Sequence, residues 1–283
     1  MIEDDTPQPL WRRAGKFALA GVFTLALFFA AAWGFDASAV RVFLGLTPEL
    51  DVPYVATRSA MVDTMLDMAG VGEEDYVIDL GTGDGRILIA AAQDRGARGL
   101  GVDLDPALIR EATSTAEDLG LETRVQFVEQ DLFDTPLSEA TVVTMFLLPE
   151  VNLRLRPRLL EELAPGSRVV SNRFDMGDWR PDDVRRVGGY NAYAWVVPAQ
   201  VAGTWRLEVD GRSIPIRLEQ QFQRVQGFAA VGGEQLVFSS VLNGTAMRFT
   251  LDLGGEQALV FDGTVRGDRV VPDEGGDWSM VRE

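Results

Sequence analysis

Residues 76–92 constrain this chain more than any other stretch: Tyr-Val-Ile-Asp-Leu-Gly-Thr-Gly-Asp-Gly-Arg-Ile-Leu-Ile-Ala-Ala-Ala. A short apolar, β-branched run at 76–80 meets a loop with glycines at 81, 83 and 85, and an apolar helical pattern begins at Ile87. Strand, tight glycine loop and helix start in that order bring backbone N–H groups close to a bound cofactor. The glycine spacing is G-x-G-x-G, not the G-x-G-x-x-G of most dinucleotide sites. Asp84 adds an anion to the loop. A pyrophosphate is repelled there and a cation attracted, so a sulfonium with an amino-acid tail suits the loop better than a nicotinamide dinucleotide.

Further strand–helix units follow. Residues 99–102 form a second apolar run that ends in Asp103-Leu-Asp105-Pro106. Asp103 lies about 20 residues past the glycine loop, where an acid grips ribose hydroxyls in nucleotide-binding units. Asp105 with Pro106 reads as a helix N-cap followed by proline at the first helical position. Residues 124–129 read as a third strand, leading into Gln130-Asp131, placed to hydrogen-bond an adenine edge. A fourth apolar run, 141–148, ends in Pro149-Glu150. Ahead of these units, 59–69 reads as an amphipathic helix terminated by Gly70. Behind them, 150–163 reads as a helix, 168–172 as a strand, and 193–197 as a strand closing the sheet near its edge. The alternation predicts an α/β fold, a doubly wound, mostly parallel sheet.

Two sets of motifs resemble known enzymes. Asp79-Leu-Gly-Thr-Gly-Asp-Gly-Arg86, with Asp103 and Gln130-Asp131 behind it, resembles the class I S-adenosyl-L-methionine-dependent methyltransferases. Pro53-Tyr-Val-Ala-Thr57, Met145-Phe-Leu-Leu-Pro-Glu150, Asn152-Leu-Arg-Leu-Arg-Pro157 and Phe174-Asp-Met-Gly-Asp-Trp179 are similar to the FAM173-type protein lysine methyltransferases, membrane-associated relatives of the Dot1-like group. The resemblance spans residues 50–200 and departs from the pattern at Ala56, where proline is usual, and at Asn172, where histidine is frequent. It implies a Rossmann-like methyltransferase fold, S-adenosyl-L-methionine as cofactor, and methyl transfer to a lysine side chain by direct displacement. Such a displacement needs alignment and a deprotonated amine, and no covalent nucleophile. The candidate cofactor contacts are Asp79, Gly81, Gly83 and Asp84 in the loop, Asp103 at the ribose and Asp131 at the adenine. The acceptor is expected at the carboxyl ends of the strands, where Tyr54, Phe146, Glu150, Phe174 and Trp179 converge. Aromatic walls stabilise a methylammonium by cation–π contact, and Glu150 attracts a lysine.

Composition narrows the partners. There are 26 Lys and Arg against 43 Asp and Glu, a formal net charge of −17. That balance argues against a nucleic-acid partner and for a basic protein or peptide. The chain has no histidine and no cysteine, which rules out a Ser-His-Asp triad, His- or Cys-ligated metal and disulfides; no metal site is expected. Lysine occurs once, at Lys16.

Residues 17–33 form an uninterrupted apolar stretch preceded by Arg12, Arg13 and Lys16. It reads as an N-terminal transmembrane anchor at the short end of the spanning range, or as a signal peptide with Ala37-Ser-Ala39 as cleavage site. The positive-inside rule sends the rest of the chain outward, whereas the cofactor is cytoplasmic. The expectation is a membrane-attached enzyme with a cytoplasmic catalytic domain; an exported protein is the alternative. From residue 201 the pattern changes to short β runs at 204–209, 213–220, 235–241, 247–253, 258–261 and 269–271. Asp210-Gly211 and Asn243-Gly244 serve as hairpin turns. The expected organisation is a membrane or signal segment at 1–40, a methyltransferase domain at 41–199 and an antiparallel β domain, barrel or sandwich, at 200–283. Two other functions stay open on the residues alone: a small-molecule methyltransferase, and a non-enzymatic exported binding protein with a vestigial nucleotide fold.

Overall fold

The computed structural model describes residues 57–283 apart from 256 and 274. The apolar stretch 17–33 and Tyr54 lie outside the described residues. Among the described residues no helix is long and apolar enough to cross a membrane.

The first helix, α1 (Ser59–Ala69), buries Met61, Val62, Met65, Leu66 and Ala69 and ends at Gly70, whose φ of 58° closes the helix in the left-handed region. Seven strands follow with three more helices: β1 (Tyr76–Leu80), α2 (Arg86–Arg95), β2 (Arg98–Asp103), α3 (Pro106–Asp118), β3 (Val125–Glu129), β4 (Val142–Met145), α4 (Pro149–Glu162), β5 (Arg168–Asn172), β6 (Asp183–Val187) and β7 (Tyr190–Val196). Their order across the sheet is β3-β2-β1-β4-β5-β7-β6. β1 to β5 are mutually parallel, and β7 runs antiparallel to both β5 and β6. Apolar side chains of α1, α2 and α3 share one core with the sheet. Leu155 and Leu159 of α4 fill the other. The sheet is therefore doubly wound and mostly parallel, as the alternation predicts. β7 lies near the edge of the sheet, as expected, and β6, which is not among the strands expected from sequence, pairs outside it. β6 reads Asp-Val-Arg-Arg-Val with its three central residues exposed, so it carries no apolar period to announce it.

Eight strands form the second sheet: β8 (Gly203–Val209), β9 (Arg212–Gln221), β10 (Arg224–Val231), β11 (Glu234–Val241), β12 (Ala246–Leu251), β13 (Leu259–Arg266), β14 (Arg269–Pro272) and β15 (Trp278–Arg282). β8 to β11 pair in chain order, β12 to β15 do likewise, and β15 joins the two sets by pairing antiparallel with β8. The outer strands β11 and β12 are thus consecutive in the chain. They meet through stacked Phe238 and Phe249, 4.6 Å between ring centroids, and through Ser240 Oγ, which donates to the Arg248 carbonyl at 2.7 Å. Burial alternates residue by residue along β8, β9 and β12. The inward side chains, among them Trp205, Phe249, Phe261 and Met280, form a packed apolar core rather than a lumen. β10 and β15 are not among the strands expected from sequence. The two sheets meet where the Ala199 N–H donates to the Gly244 carbonyl at 2.8 Å and Gln223 Nε2 donates to the Arg180 carbonyl at 2.8 Å.

Candidate active site

Strand order reverses between β1 and β4, and the glycine loop leaves β1 at that switch point, where open α/β sheets form their ligand crevice. Two of the loop glycines are dictated by geometry. Gly85 has a φ of 79°, and a Cβ there would stand 2.7 Å from Phe127. Gly81 has a φ of 75°, and its Cβ would stand 2.7 Å from Leu147. Neither position admits a side chain without strain or a shifted neighbour.

Asp79 lies one residue before the end of β1 and is 1% exposed. Its carboxylate accepts Thr144 Oγ1 at 2.6 Å and Thr82 Oγ1 at 2.8 Å. Burial pushes its pKa up to about 6; the two hydroxyls pull it down, and the charges of Asp103 and Asp84 push it up. The three acids therefore act on one another across one crevice. Asp103, the last residue of β2, accepts the Gly83 N–H at 2.9 Å and the Asp105 N–H at 3.0 Å. A carboxylate offers about four lone-pair sites, so Asp103 retains capacity for ribose hydroxyls while it fixes the loop. Asp105 caps α3 by accepting the Ala107 N–H at 2.8 Å, ahead of Pro106.

Two features of the loop differ from expectation. Its backbone donors do not face a ligand. Gly81 N and Thr82 N both donate to the Val102 carbonyl at 2.9 Å, Gly83 N to Asp103, and Gly85 N to the Thr82 carbonyl at 3.0 Å. The loop folds back on β2 and consumes these four donors, which are therefore not free for a phosphate. Nor is Asp84 a bare anion. Arg86, two residues on, holds it in a fork, with Nε 2.8 and 3.1 Å from its two oxygens, while Arg86 Nη1 donates to the Thr57 carbonyl at 2.8 Å. Attraction for a cation therefore rests on Asp79 and Asp103.

Asp131 opens the turn after β3, where its Oδ1 accepts the Phe133 N–H at 2.8 Å. This turn is clamped from α4: Arg158 donates to the carbonyls of Phe133 and Thr135 and to Glu162. The Gln130 N–H donates to the Asp103 carbonyl at 3.0 Å, which ties the tips of β3 and β2 together.

On the acceptor side, half-buried Phe146 follows β4, and Glu150 is exposed in the first turn of α4. Phe174 is half-buried just past β5. Between Asn172 and Phe174 the chain makes a γ-turn: the Phe174 N–H donates to the Asn172 carbonyl at 3.0 Å, and Arg173 takes a φ of 74°. Asn152 of α4, fully buried, holds this turn by donating to Ser171 Oγ and to the Phe174 and Asp175 carbonyls at 3.1, 3.2 and 3.3 Å. Trp179 does not join them. It is fully buried, 5.8 Å from the Trp195 ring and stacked on Phe222, which precedes β10 of the second sheet, at 6.2 Å. Trp195 pairs with Val169 at the start of β5, the end of the strand opposite the crevice. Trp179 is core between the sheets, drawn there by its apolar area, and is no wall of an acceptor pocket.

The structure thus brings Asp79, Gly81, Gly83, Asp84 and Asp103 together, sets Asp131 at the next strand tip, and leaves Phe146, Glu150 and Phe174 along the tips of β4 and β5. Sequence reasoning gave no site role to Thr82, Thr144, Arg86, Asn152 or Arg158, although Thr82, Arg86 and Asn152 lie within the quoted motifs. Thr144 carried a signal, a polar residue inside the apolar run of β4, and Arg86 closes the glycine-loop motif; Arg158 carried none. This donor set fits S-adenosyl-L-methionine. Two carboxylates, Asp79 and Asp103, stand at the adjacent ends of β1 and β2, glycines stand where a Cβ is excluded, and four of the loop amides are bonded within the protein.

Comparison with known proteins agrees. The family described as ANTKMT methyltransferase domain matches residues 79–183. A protein-lysine N-methyltransferase of Saccharolobus islandicus is 47% identical over 137 residues, 48% of this chain and 85% of that protein. An adenine nucleotide translocase lysine N-methyltransferase of Mus musculus is 35% identical over 148 residues, 52% of this chain and 64% of that protein. The crystal structure of an RNA methyltransferase from Salinibacter ruber with S-adenosyl-L-homocysteine is similar at 48% identity and a TM-score of 0.51, over 52% of this chain and 96% of that one. The chain belongs to the family of protein-lysine N-methyltransferases, class I enzymes that use S-adenosyl-L-methionine.

Proposed function

We propose that this enzyme methylates a lysine in an exposed segment of a membrane protein, working from the cytoplasmic face and attached by its N-terminal apolar stretch. The observation that carries the active-site reading is the acid pair Asp79 and Asp103 around a loop with its amides spent internally: a site built to hold a cation and not a phosphate. S-adenosyl-L-methionine supplies a methyl group on a sulfonium, open to direct displacement. Asp79 and Asp103 hold its positive and ribose-bearing parts, Gly81 and Gly83 admit it close to the backbone, and Asp131 meets its adenine. Phe146, Phe174 and Glu150 receive and align the lysine chain. The amine reacts in its neutral form.

The membrane assignment draws on residues 17–33; the cytoplasmic side follows from where the cofactor is found, against the orientation that Arg12, Arg13 and Lys16 favour. Mass spectrometry of membrane proteins from cells with and without the enzyme tests the substrate: a lysine that is methylated only when the enzyme is present is expected, and loss of methylation confined to soluble proteins would remove the membrane part of the proposal. A carboxyl-terminal reporter that is active only outside the membrane would remove the cytoplasmic part. The name of the Salinibacter relative suggests an RNA acceptor as a second reading. A net charge of −17 weighs against it, because RNA binding draws much of its affinity from phosphate neutralisation. Methyl incorporation into RNA but not protein would reverse the choice.

A further inference from the structure

β6 and β5 both pair antiparallel with β7 and so run the same way. The β6–β7 turn at Gly188 and Gly189 therefore rises at the carboxyl ends of the strands, beside the tip of β5 and its γ-turn. Three arginines gather at this rim. The Arg173 N–H donates to the Asn191 carbonyl at 2.7 Å, and Arg186 of β6 is the register partner of Asn191. Arg58, just before α1, brings its Nη1 to 3.5 Å from where a Cβ on Gly188 would stand. All three are exposed. Among the described residues none of them has a carboxylate within 4.0 Å, whereas Arg185, next in the chain to Arg186, is paired with Asp183 at 2.9 Å. In a chain of net charge −17 this rim inverts the local sign.

Arg173 is also held in place. Its φ of 74° is costly for a residue with a side chain, and its guanidinium lies over Tyr190 at 4.7 Å and Phe174 at 5.4 Å from the ring centroids. Stacking fixes the plane of the group and leaves its edge as the recognition surface. Tyr190, 43% exposed, extends the same surface. A planar, pre-set guanidinium at the mouth of an acceptor site matches a carboxylate by paired, charge-assisted hydrogen bonds.

We propose that the Arg58–Arg173–Arg186 rim reads carboxylate side chains flanking the target lysine, so that the enzyme selects lysines with Asp or Glu as near neighbours. The inference rests on the lysine-acceptor reading above and names the class of segment that site takes. An extended peptide advances about 3.5 Å per residue, so positions within about three of the lysine reach the rim when the lysine occupies the crevice. The same charges repel a second lysine or arginine at those positions, and that repulsion sets the register of the segment.

The test uses the full-length enzyme in detergent, S-adenosyl-L-methionine and a peptide library with one central lysine and degenerate flanks, with methylation read by mass spectrometry. The wild-type enzyme is expected to enrich Asp and Glu within three positions of the lysine. An Arg173→Gln, Arg186→Gln double variant should lose that enrichment and raise KM for an acid-flanked peptide about tenfold, with KM for a neutral-flanked peptide and the cofactor titration unchanged. The Arg173→Glu, Arg186→Glu variant should turn the preference toward basic flanks. Methylated peptides without acidic enrichment, or enrichment that survives in the double variant, would overturn the rim reading alone. Loss of binding to phosphatidylglycerol vesicles in the double variant, with its peptide preference intact, would assign the rim to lipid and overturn it as well. Cofactor binding with no lysine peptide methylated would remove the lysine reading, and this inference with it.

Discussion

Asp79→Asn is the sharpest probe of the crevice, because one substitution should move stability and cofactor affinity in opposite directions. In the folded enzyme the Asp79 carboxyl has its pKa raised from 3.8 to about 6, chiefly by burial. A shift of about two units, at about 1.4 kcal/mol each, makes the charged form cost about 3 kcal/mol in the ligand-free fold. A raised folded-state pKa means that the protonated acid favours folding. This contribution is fully present below pH 3.8, and it is lost as pH rises through about 6. Asparagine is neutral throughout and nearly isosteric. One of its two hydrogen bonds must reverse, with Thr82 or Thr144 accepting instead of donating, at a cost of about 1 kcal/mol. At pH 8 the ligand-free variant should therefore be more stable than wild type by about 2 kcal/mol, or roughly 4–8 °C in Tm. Near pH 4 the gain should vanish. Cofactor affinity at pH 8 should fall at least tenfold. In the wild type, a cation bound beside Asp79 pulls the pKa back down from about 6, so binding at pH 6, where the carboxyl is about half protonated, should release up to about half a proton. Thermal scans of both proteins from pH 4 to 8 read the first effect; calorimetry in two buffers of different ionisation enthalpy reads the second. A stability difference independent of pH, or no proton release, would refute the reasoning.

Two further substitutions test the loop. Asp103→Ala removes the acceptor of the Gly83 and Asp105 amides and should weaken cofactor binding at least tenfold; an unchanged titration would take Asp103 out of the site. Gly85→Ala puts a Cβ at a φ of 79° and 2.7 Å from Phe127, and it should cost about 2–4 kcal/mol by urea unfolding from left-handed strain and overpacking together. A loss below about 1 kcal/mol would mean that Phe127 yields freely.

Legibility followed periodicity. Ser59–Ala69 and Arg168–Asn172 were readable to the residue, since a helix with one apolar face and a Gly terminator, or a short buried strand, carries its signal within itself. β6, β10 and β15 were not readable. β6 is exposed along its centre, β10 is broken by Gly227 beneath the Phe238 ring, and β15 is five residues at the chain end that become a strand by pairing with β8. The site divided in the same way. Asp79, Asp103 and the loop glycines announce themselves by spacing. Trp179 sat in a motif that pointed toward the crevice, but a large apolar ring goes where burial is greatest, and that place was the seam between the sheets.

The sequence alone determined the order of strands and helices from α1 to β5, the glycine loop, the acid at the tip of β2 and hence the family and its cofactor, because each is set by residues near one another in the chain. Tertiary structure alone decided what those groups do electrically. Asp84 is neutralised by Arg86, which reaches on to Thr57, the loop amides turn back to Val102, and Asp79 titrates high because burial outweighs the hydroxyls that Thr82 and Thr144 donate and Asp103 adds its charge from the next strand. Charge and hydrogen bonding depend on neighbours in space, and the sheet brings together residues that the chain keeps some 20 to 65 positions apart.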